Sequence, residues 1–508
     1  MSISSLTLAL SLLIACNGGK DDDTGTGDGG AGDGGTDDGG MTDGGTGDGG
    51  TGDGGTTGDG GAAESARVRV LHGSPDAPAV DIWVAGSGSA AVTGLAFGEV
   101  TGFLDLPAGS YDFQVKVSPS TASDEPVFST GPLELSEGVE VTALAAGLVG
   151  SSDSADSFRV LPLVENWTAS EADSFRVRIV HAGADAPPVA LDVGNDGSPE
   201  LTDFGLFGDT EAVAPGGISL PADTDLQIGV WAGDPLGRVT AFTIPALPEG
   251  TEVLVVAGGL LGRGGHEANG FQLIAVPGEG SSLSIGQNPK VYALHGSSDA
   301  PSVDIFAGES KLVEDASFGD LAGPVQVPPG SYTLDFFGTS TSDDRPDGAP
   351  AASLDTGSLA AGQTYLAMAN GFLGGAPEFQ LLALADGFDR DDSENVRVRV
   401  VHGSPDAPTV EVGPVVSGQV SSLGAFAFGQ DSGAEGLSIG TGPLTVGLAL
   451  EGTTAPVVRF DLDLTGFDGA RVFAIASGAL LTSGAAGFRL LIVDTTTEPW
   501  AVIPVFPN

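Results

Sequence analysis

The sequence predicts an all-β protein: four tandem immunoglobulin-like antiparallel β-sandwich domains behind a disordered Gly/Asp-rich tether. Three observations predict it. A histidine-led phrase recurs four times, with its histidines 109, 114 and 107 residues apart, a spacing suited to a compact domain and too long for a solenoid unit. Within each copy apolar and polar residues alternate at the period of a strand, and no amphipathic helix is legible. Finally, 82 glycines and 32 prolines among 508 residues suit a turn-rich β architecture.

The elements follow in chain order. Residues 1–15 read as a signal peptide, because Leu6 to Ala15 is apolar but too short to span a bilayer. The stretch Leu13-Ile14-Ala15-Cys16 resembles the lipobox of bacterial lipoproteins, which implies acylation of Cys16. Cys16 is the only cysteine, so a disulfide framework is excluded. No Lys or Arg precedes the apolar stretch, a departure from the usual positive start. Residues 16–65 form the lipid anchor and tether. Asn17 to Gly61 is Gly, Asp and Thr almost throughout, too polar to offset its ordering entropy. Treated as a Gly-rich coil it spans roughly 35–40 Å. A calcium-binding β-roll would need a bulky aliphatic in every repeat, and none is present.

The four domains are predicted at 66–166, 173–278, 289–387 and 394–508. Their shared phrase is His72-Gly73-Ser74-Pro75-Asp76-Ala77-Pro78, His181-Ala182-Gly183-Ala184-Asp185-Ala186-Pro187, His295-Gly296-Ser297-Ser298-Asp299-Ala300-Pro301 and His402-Gly403-Ser404-Pro405-Asp406-Ala407-Pro408. A Phe-Gly pair follows each (Phe97-Gly98, Phe204-Gly205, Phe318-Gly319, Phe428-Gly429). Each copy ends on an apolar run and a strand led by Phe158, Phe271, Phe379 or Phe488. Strict alternation in Tyr111-Asp112-Phe113-Gln114-Val115-Lys116-Val117 predicts one core face and one wet face. About seven strands per copy is the pattern of an immunoglobulin-like sandwich; propeller blades are half this length. Short polar connectors at 166–173, 278–290 and 387–395 predict beads on a semi-flexible string.

Arg67 to Asp81 and Arg397 to Glu411 resemble the opening Arg-Val-Arg-Val-x-His-x-Ser-Pro-Asp-Ala-Pro-x-Val-Asp of the bacterial domain-of-unknown-function family numbered 4397. Ala184 and Ser298 replace the first Pro in copies two and three, and Ala190 stands at the position of Asp81. The resemblance covers nearly everything from Arg67 to Asp494 and implies an exported β-sandwich module without an established activity.

Formal net charge is −50, from 68 acidic against 18 basic residues. Without basic patches the chain is not expected to bind nucleic acid. The pairs His72 with Asp76, His181 with Asp185, His295 with Asp299 and His402 with Asp406 are the one polar constellation in every copy. One imidazole and a carboxylate fall short of a zinc site, and Asp-Ala-Pro favours a turn, so a structural role is favoured over a metal or ligand site. Arg67, Arg69, Arg176, Arg178, Lys290, Arg397 and Arg399 form a basic stripe, with Tyr292 as the exception. They read as cross-strand ion pairs on a solvated sheet face. Reading an anionic glycan is the less favoured alternative.

Three further patterns are weaker. Gly436-Leu437-Ser438-Ile439-Gly440 fits a nucleophile elbow, but no histidine follows His402 to complete it. Asp192 to Asp203 is faintly like a calcium loop without its final glutamate; Asn195-Asp196-Gly197 suits a hairpin turn better. The junction Asp389-Arg390-Asp391-Asp392 is a candidate for weak Ca²⁺ binding, with a solvated linker favoured. No catalytic residue, cofactor site or metal site is assigned. The expectation is a non-catalytic lipoprotein of the cell envelope, at the outer membrane or cell surface, held to the membrane through its N-terminal lipid. Its modules would serve adhesion or binding of a glycan or envelope protein. An envelope hydrolase with a loop-borne site and a purely structural spacer are the alternatives.

Overall fold

The computed structural model describes residues 65–481 and 486–508; the expected signal peptide, Cys16 and almost all of the expected tether lie outside them. The first repeat has eight strands, one more than expected: β1 Ser65–His72, β2 Val80–Val84, β3 Val92–Leu95, β4 Leu104–Pro107, β5 Gly109–Val117, β6 Phe128–Leu135, β7 Glu140–Ala146 and β8 Arg159–Val164. They form two sheets, β4-β1-β7-β8 and β3-β2-β5-β6. The same two orders recur in the other three blocks, with an added strand at some edges. The alternation in β5 does what period-2 patterning dictates: Phe113 and Val115 face the space between the sheets with Val68, Val70, Val80 and Ile82.

One feature departs from a purely antiparallel sandwich. β1 lies parallel to β7, with Arg67 opposite Glu140 and His72 opposite Ala145. The phrase-bearing strands of the other repeats pair the same way. A strand so placed has packing on both faces, which explains near-continuous apolar character. The run after β7 ends on Gly147, at φ +83, where a Cβ would sit 2.5 Å from the Ser157 carbonyl. Gly259, Gly371 and Gly478 occupy the same corner under the same constraint, so all four copies need glycine there.

The second face of β1 corrects the expectation of independent beads. Leu71, Leu144 and Leu163 of the first repeat form one buried core with Val180, Leu254, Val256, Ile274 and Val276 of the second. Tyr292, Leu294, Leu366 and Met368 of the third repeat do likewise with Val401, Phe473, Ile475 and Trp500 in the fourth. The repeats therefore pack in pairs, sheet against sheet, four layers deep. The polar connectors concealed this, because the joining residues lie on strands inside the repeats.

The pairs are also joined to each other. Residues 278–290, expected as a connector, contain strand Leu283–Gly286, which adds to the second repeat's sheet. Backbone meets backbone at Gly265 and Gly362, where a Cβ on either would fall within 2.6 Å of the other's carbonyl oxygen. Gln326 of the third repeat donates to Thr240 Oγ1 of the second and to the Asn288 carbonyl.

Candidate functional site

The recurrent His–Asp phrase is placed at the end of the parallel strand, and most of its polar groups are taken up by the chain's own backbone. The Nδ1 atoms of His72, His295 and His402 are buried without a hydrogen-bond partner among the described residues, while His181 Nδ1 accepts from Gly183 N–H. His72 Nε2–H donates to the Pro78 carbonyl at 3.2 Å, closing the turn over six residues. His181, His295 and His402 do the same to Pro187, Pro301 and Pro408. Burial pushes the imidazoles of His72, His181 and His402 below their ordinary value, because a charged ring loses its water there. The carboxylate of Asp76 lies on the far side of the turn and accepts from the N–H groups of Val149 and Gly150, both at 2.9 Å. Asp185 and Asp406 each accept two equivalent N–H bonds, from Leu261 with Gly262 and from Leu480 with Leu481. Asp299 accepts from Leu373. Histidine and aspartate thus brace different loops and do not converge on a shared point.

A second set of carboxylates was named in the sequence but given no structural role there. Asp81 is 2% exposed and accepts from Gly94 N–H, Ser120 N–H and Ser120 Oγ–H. These bonds outweigh desolvation and hold its pKa down at about 2. In the second repeat Asp192 is fully buried and accepts from Asp196 N–H, Gly197 N–H and Trp231 Nε1–H. The faint calcium loop is therefore a hairpin folded around its first carboxylate. A buried aspartate next to a turn signal was the clue.

The basic stripe needs correction, since its second members are buried at the repeat interfaces and not solvated. Arg69 is 1% exposed; it pairs with Glu165 at 2.8 Å and donates to the Pro277 carbonyl of the second repeat at 2.6 Å. Arg178 reciprocates, pairing with Asp209 and donating to the Val164 carbonyl of the first repeat at 2.6 Å. Arg399 binds Asp431 and the Ala385 carbonyl of the third repeat. Tyr292, the exception, stacks on Trp500 with ring centroids 4.4 Å apart. The outer members Arg67, Lys290 and Arg397 do form ion pairs, with Glu140, Glu498 and Asp389 respectively.

The Phe-Gly landmark of the second repeat is displaced by two residues. Gly98, Gly319 and Gly429 donate their N–H to the phrase histidine's carbonyl, and so does Phe207, not Gly205. Phe207 consequently holds φ +61, an uncommon conformation for a side-chain-bearing residue. Its ring packs on the core between the first two repeats and lies beneath the Arg159 guanidinium at 4.1 Å, a contact that offsets strain.

The elbow-like Ser438 sits on strand Leu437–Ile439 and donates to Asp392 Oδ2; no helix follows it. In the acidic junction, Asp389 and Asp392 pair with Arg397, and Asp391 with Arg263. Among the described residues, no group of three or more His, Cys, Asp or Glu is placed to hold a metal ion.

The arrangement with most chemical potential is a cleft where the second, third and fourth repeats meet, with a volume of about 480 Å³. Arg263, Lys290, Arg390 and Arg471 line it, four of the chain's eighteen basic residues. Arg390 and Arg263 share Glu267, and Arg390 also binds Asp386. Among the described residues the Arg471 guanidinium donates only to the carbonyls of Gly469 and Thr496, and its Nε and that of Arg390 are buried without a hydrogen-bond acceptor. Desolvation and then repulsion by Arg390 lower the Arg471 pKa. Nothing in the sequence signals this grouping: Lys290 belongs there to the basic stripe and Arg390 to the acidic junction, and Arg263 and Arg471 stand in no motif.

Elsewhere, apolar cavities of about 350 and 270 Å³ lie between the sheets of the first and fourth repeats. The corresponding space in the second is about 80 Å³.

Comparison with known proteins gives one family. The chain matches its sequence model, a domain of unknown function (DUF4397), over residues 66–192 and 289–413. No curated protein matches the chain. Among solved structures it is similar to the Bacillus anthracis TIE protein, with 12% identity and a TM-score of 0.13. That match covers 78% of this chain and 65% of the other, so the chain spans just under two thirds of its length.

Proposed function

We propose that this is an exported, lipid-anchored protein of the cell envelope. In this reading all four blocks are copies of the DUF4397 domain and present a rigid, non-catalytic array for adhesion or for binding a glycan or envelope protein. The observation that carries the reading is how the repeated polar groups are used. His72, Asp76 and their equivalents bond to the backbone of their own repeat, and the buried arginines bond across repeats. The recurrent chemistry thereby builds a scaffold and leaves loops to vary. An array joined this firmly gains avidity only toward partners whose spacing matches its own, since no slack between modules adjusts the geometry.

Two measurements test it. The full chain expressed in a bacterial host with labelled palmitate is expected to carry the label in the membrane fraction, and Cys16→Ala to lose it; an unlabelled wild type overturns the anchoring. A glycan and envelope-protein array is expected to return a saturable ligand. Turnover of an ester or glycoside panel by the purified chain overturns the non-catalytic assignment, and an empty array together with no turnover favours a spacer.

A further inference from the structure

We propose that the cleft joining the second, third and fourth repeats is a binding site for an acidic saccharide, with the carboxylate taken by Arg390 and Arg471. The proposal rests on the glycan-binding reading above and gives it a site; it does not depend on anchoring, so failure of the lipid-labelling test leaves it standing.

Four observations point the same way. The first is distribution: a chain carrying −50 overall brings four cations from separate repeats to one hollow against two carboxylates, Asp386 and Glu498, in the same lining. Of the four, only Arg471 has no ion pair among the described residues. The second is unmet hydrogen bonding. The Nε–H groups of Arg390 and Arg471 are buried and complete no hydrogen bond among the described residues, that of Arg390 standing 3.6 Å from Glu267 Oε1, and a buried unsatisfied donor is destabilising. An acceptor from a ligand removes that cost. The third is incomplete compensation: Arg471 has no carboxylate within ion-pair distance among the described residues, and burial and then the positive charge of Arg390 act against its charged form, offset only in part by the more distant Asp386, Asp494 and Glu267. An anion between them converts repulsion into attraction, and guanidinium geometry suits a carboxylate held by two N–H donors.

The fourth observation selects the class of anion. The volume, about 480 Å³, falls in the roughly 300–1,000 Å³ typical of small-molecule sites and far exceeds the needs of an inorganic oxyanion. Around the arginines stand Gln363 and Thr364, an amide and a hydroxyl that both donate and accept. That mixture matches the hydroxyl-rich rim of a sugar ring. A long acyl chain or an aromatic acid would strand those groups.

The experiment is calorimetric titration of the full chain with D-glucuronate, D-galacturonate, neutral D-glucose, inorganic phosphate and sulfate. The expected result is saturable binding of at least one uronate, at least tenfold tighter than glucose, phosphate or sulfate, and weakened by added salt. Arg471→Gln is expected to weaken uronate binding at least tenfold. Because Arg471 also ties down two carbonyls, Thr364→Val provides a second variant that leaves every ion pair intact, with an expected several-fold loss and an unchanged melting temperature. Equal affinity for uronate and glucose overturns the proposal. So does phosphate or sulfate binding as tightly as the uronates, absence of any uronate heat, or full uronate binding by either variant in its folded state.

Discussion

Replacing Arg69 with Met is the sharpest test of how the repeats are joined. In the native chain Arg69 and Glu165 face each other at 2.8 Å, with side chains only 2% and 4% exposed. Arg69 Nε also donates to Thr142 Oγ1 at 2.8 Å, and Nη1 to the Pro277 carbonyl across the interface at 2.6 Å. Removing the guanidinium leaves a carboxylate buried without its counter-charge, which costs about 3–5 kcal/mol. Were the stripe a solvated one, the loss would stay near 0–1 kcal/mol. The first two repeats form a unit whose melting temperature moves about 2–4 °C per kcal/mol, so a fall of about 6–20 °C is expected by scanning calorimetry. Arg69→Met combined with Glu165→Gln is expected to recover most of it, because the stranded charge is gone. A single-variant shift below about 4 °C, or no recovery in the double variant, refutes the buried-clamp argument.

Three more outcomes follow from the same geometry. Leu254→Ala, in the core shared by the first two repeats, should cost about 2–5 kcal/mol. Hydrogen-exchange protection should fall together in β7 and in Glu252–Gly258; loss confined to the second repeat would contradict a shared core. Asp76→Ala removes both acceptors for Val149 and Gly150 N–H and, because these groups are exposed, should lower stability by only about 0.5–1.5 kcal/mol, read as faster proteolysis of the loop after β7; an unchanged cleavage rate would contradict it. Acidification should destabilise between pH 7 and 5.5. Unfolded imidazoles take up protons near about 6.5, whereas burial keeps His72, His181 and His402 neutral to lower pH. Stability is therefore full above the unfolded value and lost as pH falls toward the folded ones. Asp81, held at about 2, keeps contributing throughout that window. A melting temperature that rises from pH 7 to 5.5 would contradict this.

Much of each domain was legible because its determinants are local. Strand alternation in Tyr111–Val117, the turn-forming Asp-Ala-Pro and the recurrent closers each act within a few residues, and the structure places them in matching positions. What escaped was non-local. Leu71 and Leu144 look like ordinary core residues in sequence, and nothing near them says that their partners are Val180 and Leu254. The same applied to Arg69, whose alternation with Val68 and Val70 implied a wet face; the face is instead covered by another repeat. Phe207 escaped for a different reason: the sequence offered a nearby Phe-Gly that fitted the spacing, and only backbone geometry distinguishes the two. The cleft was invisible since Arg263, Lys290, Arg390 and Arg471 come from segments that no motif connects.

The two ends of the folded chain respond differently to mechanical load. β1 is held between β4 and β7, so a pull on Ser65 along the strand axis strains all six aligned positions from Arg67 to His72 at once. The last strand, Ala501–Val505, lies at a sheet edge against Arg489–Asp494 and begins its pairing at Val505 opposite Leu490. A pull on Asn508 away from the sheet first breaks its bonds to the Arg459 carbonyl and to Asp461 and then detaches those positions one after another. Loaded in these two directions, the carboxyl-side strand gives way at lower force than β1.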